Sequence, residues 1–415
     1  MEQRKVPEIR FRQEDGTEFP AWENTTIDKI ATVVGGGTPK SDELTYWNGQ
    51  IDWYTPTEIV SKYLQGSERK ITEAGLKNSS AKLLPKETIL LTSRASIGLC
   101  SINNTDGQVT TNQGFQSIVC NKQRAYNEFV YYSLHVPKVQ HSLQSRACGS
   151  TFLEISSSEV KKTKLQAPLL IEQKKIGSFF SALDRRIILA DKKLATLQTI
   201  KKGMLQKIFS QELRFRDDDG NEFPAWTEKP LGDIASVTKL AGFEFTKYVT
   251  YKDEGKIIAL RGLNVKNGSL VLDDVKYIDG SDFSKLKRSK LYKGDILFTY
   301  VGTIGESAIV DKNDAYYLAP NVALIRIAHE SPQYALFYMQ SEQFHLELNK
   351  YVTLTSQASL TMDNVRKIKI MLPVMAEQQK IAAYFTTLDR SIAAAQKKAA
   401  ALRTIKKGLL QKMFI

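Results

Sequence analysis

The 415 residues carry 42% hydrophobic and 25% charged side chains, ordinary values for a globular chain with room for two or three domains. Lysine and arginine outnumber aspartate and glutamate by 58 to 45, and the net charge of +13 suits a polyanionic partner, because each neutralised phosphate releases condensed counterions. No apolar run is long enough for a membrane span, and the opening MEQRKVPEIRFRQEDG lacks the apolar core of a secretory signal. Cys100, Cys120 and Cys148 form no CxxC pair, which points to a reducing, cytoplasmic setting, and four histidines without an HExxH pattern argue against zinc.

The first informative element is IRFRQEDGTEFPAW at 9–22, because it returns as LRFRDDDGNEFPAW at 213–226. A variable region follows, about 23–167, with short β-type runs such as SIVC (117–120) punctuated by Asn, Gly, Ser and Asp. Within it KETILLTSRASIG (86–98) is echoed later by KGDILFTYVGTIG (293–305), each reading as a strand and then a Gly-containing loop. Thr110-Thr-Asn-Gln is a fainter echo of Ala319-Pro-Asn-Val. From Pro168 the segment PLLIEQKKIGSFFSALDRRI begins a block that recurs from Pro373 as PVMAEQQKIAAYFTTLDRSI. Both copies run without a gap to TIKKGMLQKIF (199–209) and TIKKGLLQKMF (404–414). The chain is a duplication with a period far too long for a solenoid. Its parts are a first domain (1–167), a first conserved helix (168–210), a second domain (211–372) and a second conserved helix (373–415).

Each conserved block carries an apolar stripe at alternating four- and three-residue steps. It runs through Ile176, Phe180, Leu183, Ile187, Ala190, Leu194, Leu197, Met204 and Ile208 in the first copy. In the second it runs through Ile381, Phe385, Leu388, Ile392, Ala395, Ala399, Leu402, Leu409 and Met413. The pattern predicts two helices of roughly 57 Å each. A pseudo-twofold axis makes them antiparallel and the molecule pseudo-circular, with segment 9–22 against the end of the second helix. Glu172 and Glu377 sit at the positive end of the helix dipole. Gly203 and Gly408 each cost about 1 kcal/mol in a helix interior. Their recurrence points to a tight helix crossing or a partner contact.

The sequence shows no GxxxxGK[ST] phosphate loop, no Rossmann fingerprint and no Asn-Pro-Pro-aromatic motif of amino-methyltransferases. Gly35-Gly-Gly-Thr-Pro reads as a turn, and Asp253-Glu-Gly-Lys256, a superficial match to a nuclease acid–lysine pair, as a solvated one.

With the paired RFR..DG.EFPAW segments and the duplicated PxxxxEQ…LD…TIKKGxLQKxF helices in view, the chain resembles the specificity subunits of Type I restriction–modification systems. The likeness covers nearly the whole length and includes GGGTPKSDELTYWNGQIDWYTPTEI (35–59) and IIALRGLNVKNGSL (257–270). The Tyr-Trp segment has no counterpart in the second domain. The resemblance implies two mixed α/β target-recognition domains separated by an antiparallel coiled-coil pair. It also implies a chain without catalysis of its own, reading double-stranded DNA for two modification subunits and two restriction subunits. S-adenosylmethionine, ATP and magnesium would be used by those partners, not by this chain. A stand-alone DNA-binding protein, or a nuclease with a cryptic site, are the alternatives.

Base readout needs side chains matching the donor and acceptor pattern of the major groove. In the first domain the candidates are Thr38, Lys40, Ser41, Tyr46, Trp47, Tyr54, Arg94, Ser96, Asn112 and Gln113. In the second they are Lys247, Arg261, Asn264, Lys266, Asn267, Tyr300, Thr303 and Asn321. Core packing competes for Trp47 and Tyr54 and is favoured for Trp53; turn formation competes for Asn112 and Asn321, and plain solvation for Arg94. Lys201, Lys202, Lys406 and Lys407 suit phosphate, a partner subunit or a solvated helix face. Trp22 and Trp226 recur in both copies and are expected to staple the chain to the helices.

Overall fold

The computed structural model describes residues 6–94, 96–149, 153–240, 245, 247–352 and 359–415. The chain divides into two compact units, residues 1–191 with 397–415, and residues 192–396.

In the first unit, strands Ala31–Gly35, Gln116–Cys120, Ile89–Leu91 and Cys100–Ile102 lie side by side in that order, all antiparallel. A second sheet places Trp47–Tyr54 between Arg69–Ile71, antiparallel, and Val109–Thr111, parallel. The second unit repeats this plan with unlike residues. Its four strands run Ala235–Lys239, Val322–Ile327, Ile296–Thr299 and Ser307–Ile309. Ile258–Leu260 lies between Lys276–Tyr277, antiparallel, and Tyr316–Leu318, parallel. Each domain closes on a two-stranded ribbon beside its conserved helix, Glu23–Thr26 with Lys164–Ala167 and Thr227–Pro230 with Lys369–Leu372.

The conserved blocks fold as helices Leu170–Phe209 and Met375–Met413. Every residue of the two stripes is buried or half-buried, as the heptad spacing requires. The pairing is antiparallel within each unit. In the first, Phe180 lies 5.8 Å from Phe414, while Asp184 binds Lys406 and Asp191 binds Arg403. In the second, Phe209 stacks on Phe385 at 6.0 Å and Lys201 binds Asp389 at 2.8 Å. Nothing lies within 4 Å of a β-carbon built on Gly203 or Gly408, so the tight helix crossing is not there. Both glycines instead leave bare backbone on a helix face.

The duplicated Arg-Phe-Arg hairpins explain why they recur with the Glu-Gln pair that opens each helix. Arg10 donates through Nε and Nη2 to Glu172, both bonds 2.8 Å, and Arg214 reaches Glu377 at 3.2 and 2.7 Å. Both carboxylates are 0% exposed. Hydrogen bonding to the paired carboxylate, helped by its charge, holds both guanidinium groups above their usual pKa, against the opposing effect of burial. Lys175 and Lys380 tie down the carbonyls of Arg12 and Arg216. Gln173 and Gln378 receive the amides of Tyr126 and Ser331, which fastens each recognition domain to its helix. Trp22 and Trp226 are buried against the phenylalanine that ends a helix, Phe414 at 6.1 Å and Phe209 at 6.4 Å. The Ile9 amide donates to the Lys412 carbonyl at 3.0 Å, so segment 9–22 does lie against the end of the second helix.

Removing one partner of a buried ion pair leaves an uncompensated charge and costs about 3–5 kcal/mol. Arg10→Ala should therefore shift the urea midpoint strongly. Arg214→Ala should shift it less, because the Trp226 indole N–H still donates to Glu377 at 3.0 Å, whereas Trp22 has no such bond. Equal shifts, or a larger one for Arg214→Ala, would contradict this ranking.

Candidate nucleic-acid interface

The two sequence echoes are one structural device. In the first domain the buried Thr92 hydroxyl donates to the Ser96 carbonyl and accepts the Leu99 amide at 3.1 Å. In the second, Thr299 donates to the Thr303 carbonyl and accepts the Glu306 amide at 3.0 Å. Gly98 and Gly305 close the loops at φ 96° and 95°, a region that favours glycine. One threonine thus fixes each loop from below, leaving Ser96 and Thr303 exposed on top. Ala95, inside the first loop, lies outside the described residues.

A second loop pair is equally matched. After Tyr54 the Glu58 carboxylate accepts the Thr55 amide at 2.6 Å; after Leu260 the Asn264 amide oxygen accepts the Arg261 amide at 3.0 Å. Asn264 also donates to the carbonyls of Val271 and Asp274 at 2.8 Å and is fully buried, so it builds the loop and is not available to a base. Leu263 at the crest of the same turn is 51% exposed.

The third pair corrects the alignment read from the sequence. The Asn112 amide donates to the Tyr54 carbonyl, and the Ala319 amide to the Leu260 carbonyl. Asn112 therefore matches Ala319, and Asn321 falls opposite Gly114. Both asparagines serve turns: Asn112 Oδ1 accepts the Gly114 amide at 2.8 Å, and Asn321 has φ 68°.

In the second domain these loops bring Arg261, Thr303 and Asn321 together with Tyr251 and Leu263 around an open cleft of about 520 Å³. Arg261 is held by Asp274 at 2.8 Å. In the first domain Arg94 is likewise held by Glu154 at 2.8 Å, and Thr38 donates to Gln113, both exposed. Lys40, Ser41 and Lys247 are exposed, and Tyr46 is half-buried.

Several other candidates belong to the scaffold. Trp47, at 7% exposure, donates through its indole N–H to the Lys40 carbonyl. Trp53 does the same to Gly37, as core packing predicts. Tyr54 is buried, its hydroxyl accepts the Gly66 amide, and desolvation pushes its pKa up to about 12. Tyr300 is buried beneath Lys239. Asn267 and Gly268, with φ 50° and 81°, turn the short hairpin Val265–Lys266 to Ser269–Leu270. Polar or aromatic identity suggested a surface role for Trp47, Tyr54 and Tyr300, which interior packing and hydrogen bonds use instead, whereas Asn267 turns its hairpin and stays exposed.

The four helix lysines split into pairs. Lys201 is bound to Asp389 and Gln340, and Lys406 to Asp184. Lys202 and Lys407 are exposed, with no ionic partner among the described residues. In the second unit Lys201, Lys202, Lys266 and Asn267 line one cavity of about 670 Å³. In the first unit Lys62 instead fills space beside the helix, bonded to Tyr132 and Ser181 with its pKa lowered by burial.

Asp253 is exposed and bound to Lys276, and no cluster of three metal-ligating side chains occurs among the described residues. Nor is any described helix long and apolar enough to cross a membrane.

The model of the Type I restriction modification DNA specificity domain matches residues 21–199 and again 225–404. The chain belongs to this family. It is 28% identical to the MjaIX specificity subunit of Methanocaldococcus jannaschii, over 98% of this chain and 96% of that protein. It is 21% identical to the EcoBI specificity subunit of Escherichia coli, over 87% and 78%. The crystal structure of a Type I S subunit from M. genitalium shares the fold, with a TM-score of 0.62 at 16% identity, covering 99% of both chains. A chain from a structural study of Type I complex assembly matches at 0.54 and 16% identity, over 95% of this chain and 98% of that one. As a specificity subunit this chain recognises DNA sequence through two domains and has a non-catalytic role.

Thr92→Val and Thr299→Val remove the loop pins while keeping side-chain shape, at about 1–2 kcal/mol for the bonds lost. In Thr299→Val, hydrogen exchange at the Glu306 amide should accelerate at least about tenfold while Ile296–Phe298 stay protected. Unchanged exchange at Glu306 would show that the hydroxyl does not hold the loop.

Proposed function

We propose that this subunit reads an asymmetric, bipartite duplex, one half-site per domain, and presents it to two modification subunits that methylate adenine with S-adenosylmethionine. Two restriction subunits would add ATP- and magnesium-dependent cleavage. The observation that carries this reading is the contrast between frame and loops. The strand plan, the threonine pins and the Arg–Glu pairs repeat, while residues at matching loop positions do not. Thr55-Pro-Thr stands against Arg261-Gly-Leu, Arg94 against Val301, and Gln113 against Pro320. Identical frames hold the loops alike, and unlike side chains ask for unlike bases.

The helices support two copies of one partner. Ile200 and Ile405 are both exposed, each three residues before a glycine with open space beside it. The same apolar patch with bare backbone therefore appears twice, as two equal subunits require. The net charge of +13 supports the duplex as the shared substrate.

Exchanging residues 23–167 for the matching region of another specificity subunit should change one half of the modified motif and leave the other intact. A change in both halves, or in their spacing alone, would contradict the division of labour.

A further inference from the structure

Among the arginines of the first recognition domain, Arg69 is placed unlike the others. Its guanidinium carbon lies 3.7 Å from the centre of the Trp47 ring and 5.5 Å from that of Trp53. The two indoles meet edge to face at 5.1 Å and are themselves fixed, since their N–H groups donate to the carbonyls of Lys40 and Gly37 at 3.0 and 2.8 Å. Arg69 is exposed and forms no side-chain hydrogen bond or ion pair among the described residues. Arg94, by contrast, is neutralised by Glu154, and Arg261 in the other domain by Asp274. A stacked guanidinium keeps its plane and loses little further entropy on binding, yet all its edge donors remain free.

The platform is bonded to a segment that carries two of the loop candidates. The segment bonded to the indoles, residues 37–40, carries Thr38 and Lys40, and Thr38 reaches Gln113. The second domain has no equivalent. Arg69 pairs with Trp53 in the sheet, and at the matching ladder position Lys276 pairs with Ala259. Lys276 is tied to Asp253 and has no indole beneath it.

We propose that Arg69, presented on the Trp47–Trp53 platform, reads a guanine in the half-site of the first domain through paired donors to O6 and N7. This rests on the DNA-reading role of the domain and names one of its specificity-determining residues. Two parallel N–H donors in a fixed plane match the two acceptors that guanine alone offers side by side in the major groove. A lysine carries the same charge but cannot make that paired contact.

The test is selection from a randomised duplex library by the full-length chain, as wild type, Arg69→Lys and Arg69→Ala. The wild type should enrich a bipartite motif. Both variants should lose roughly tenfold or more of the preference for guanine at one position of one half-site. The other half-site should stay unchanged, which also shows that the variants are folded. An unaltered motif would overturn the proposal. So would uniform weakening across all sequences with a shallower salt dependence, which marks a phosphate contact. A wild type that enriches no motif would instead remove the DNA-reading role itself, and this proposal with it.

Discussion

A carboxylate buried in the first turn of each long helix is the constraint on which the rest of the architecture depends. Glu172 and Glu377 are wholly withdrawn from solvent. A charge in that position is tolerated only when paired and hydrogen-bonded. Arg10 and Arg214 supply the pairing, and they come from hairpins more than a hundred residues away in sequence. The helix therefore cannot be packed without its hairpin. Once the hairpin is in place, Trp22 or Trp226 is set against a helix-ending phenylalanine and the ribbon of the recognition domain is registered. In the first unit this joins the start of the described chain to its last helix through non-covalent contacts, the Ile9–Lys412 backbone hydrogen bond among them.

The recognition domains obey the same logic at smaller scale. Polar side chains, the buried Thr92 and Thr299 under one loop and the half-buried Glu58 and buried Asn264 under another, satisfy backbone groups that would otherwise be stranded. Because each loop is fixed from within, its outward side chains are free to differ. That separates holding a loop from using it. It accounts for two domains of one topology whose exposed loops share little.

Much of this was legible in the sequence, for a physical reason. The helices carry a long periodic stripe and must present the same surface twice, so identity and period both survive duplication, and Phe180, Leu183, Phe385 and Ala399 fall inside as spaced. The common topology of the domains was not legible, since a strand needs only an apolar face and Trp53 can be replaced by Ala259 at one ladder position. Site residues fared unevenly. Arg261, Thr303 and Asn321 meet in one cleft, but Asn264, Tyr54, Trp47 and Tyr300 are interior. A polar or aromatic side chain looks the same in sequence whether its hydrogen bond goes to a base or to a buried carbonyl. Arg69 was missed for the complementary reason: its importance comes from a tryptophan in the neighbouring strand, and no local motif announces it. The asparagine echo misled because two turns of different register both favour asparagine near the same point.

The chain is a frame, built twice, that holds two sets of unlike loops, and the proposed function makes them readers of different sequences. Modified-base sequencing of DNA from the host tests this most directly. The predicted result is adenine methylation at a bipartite motif whose halves are unlike and separated by a fixed number of unread base pairs. A palindromic motif, or a single continuous one, would contradict it.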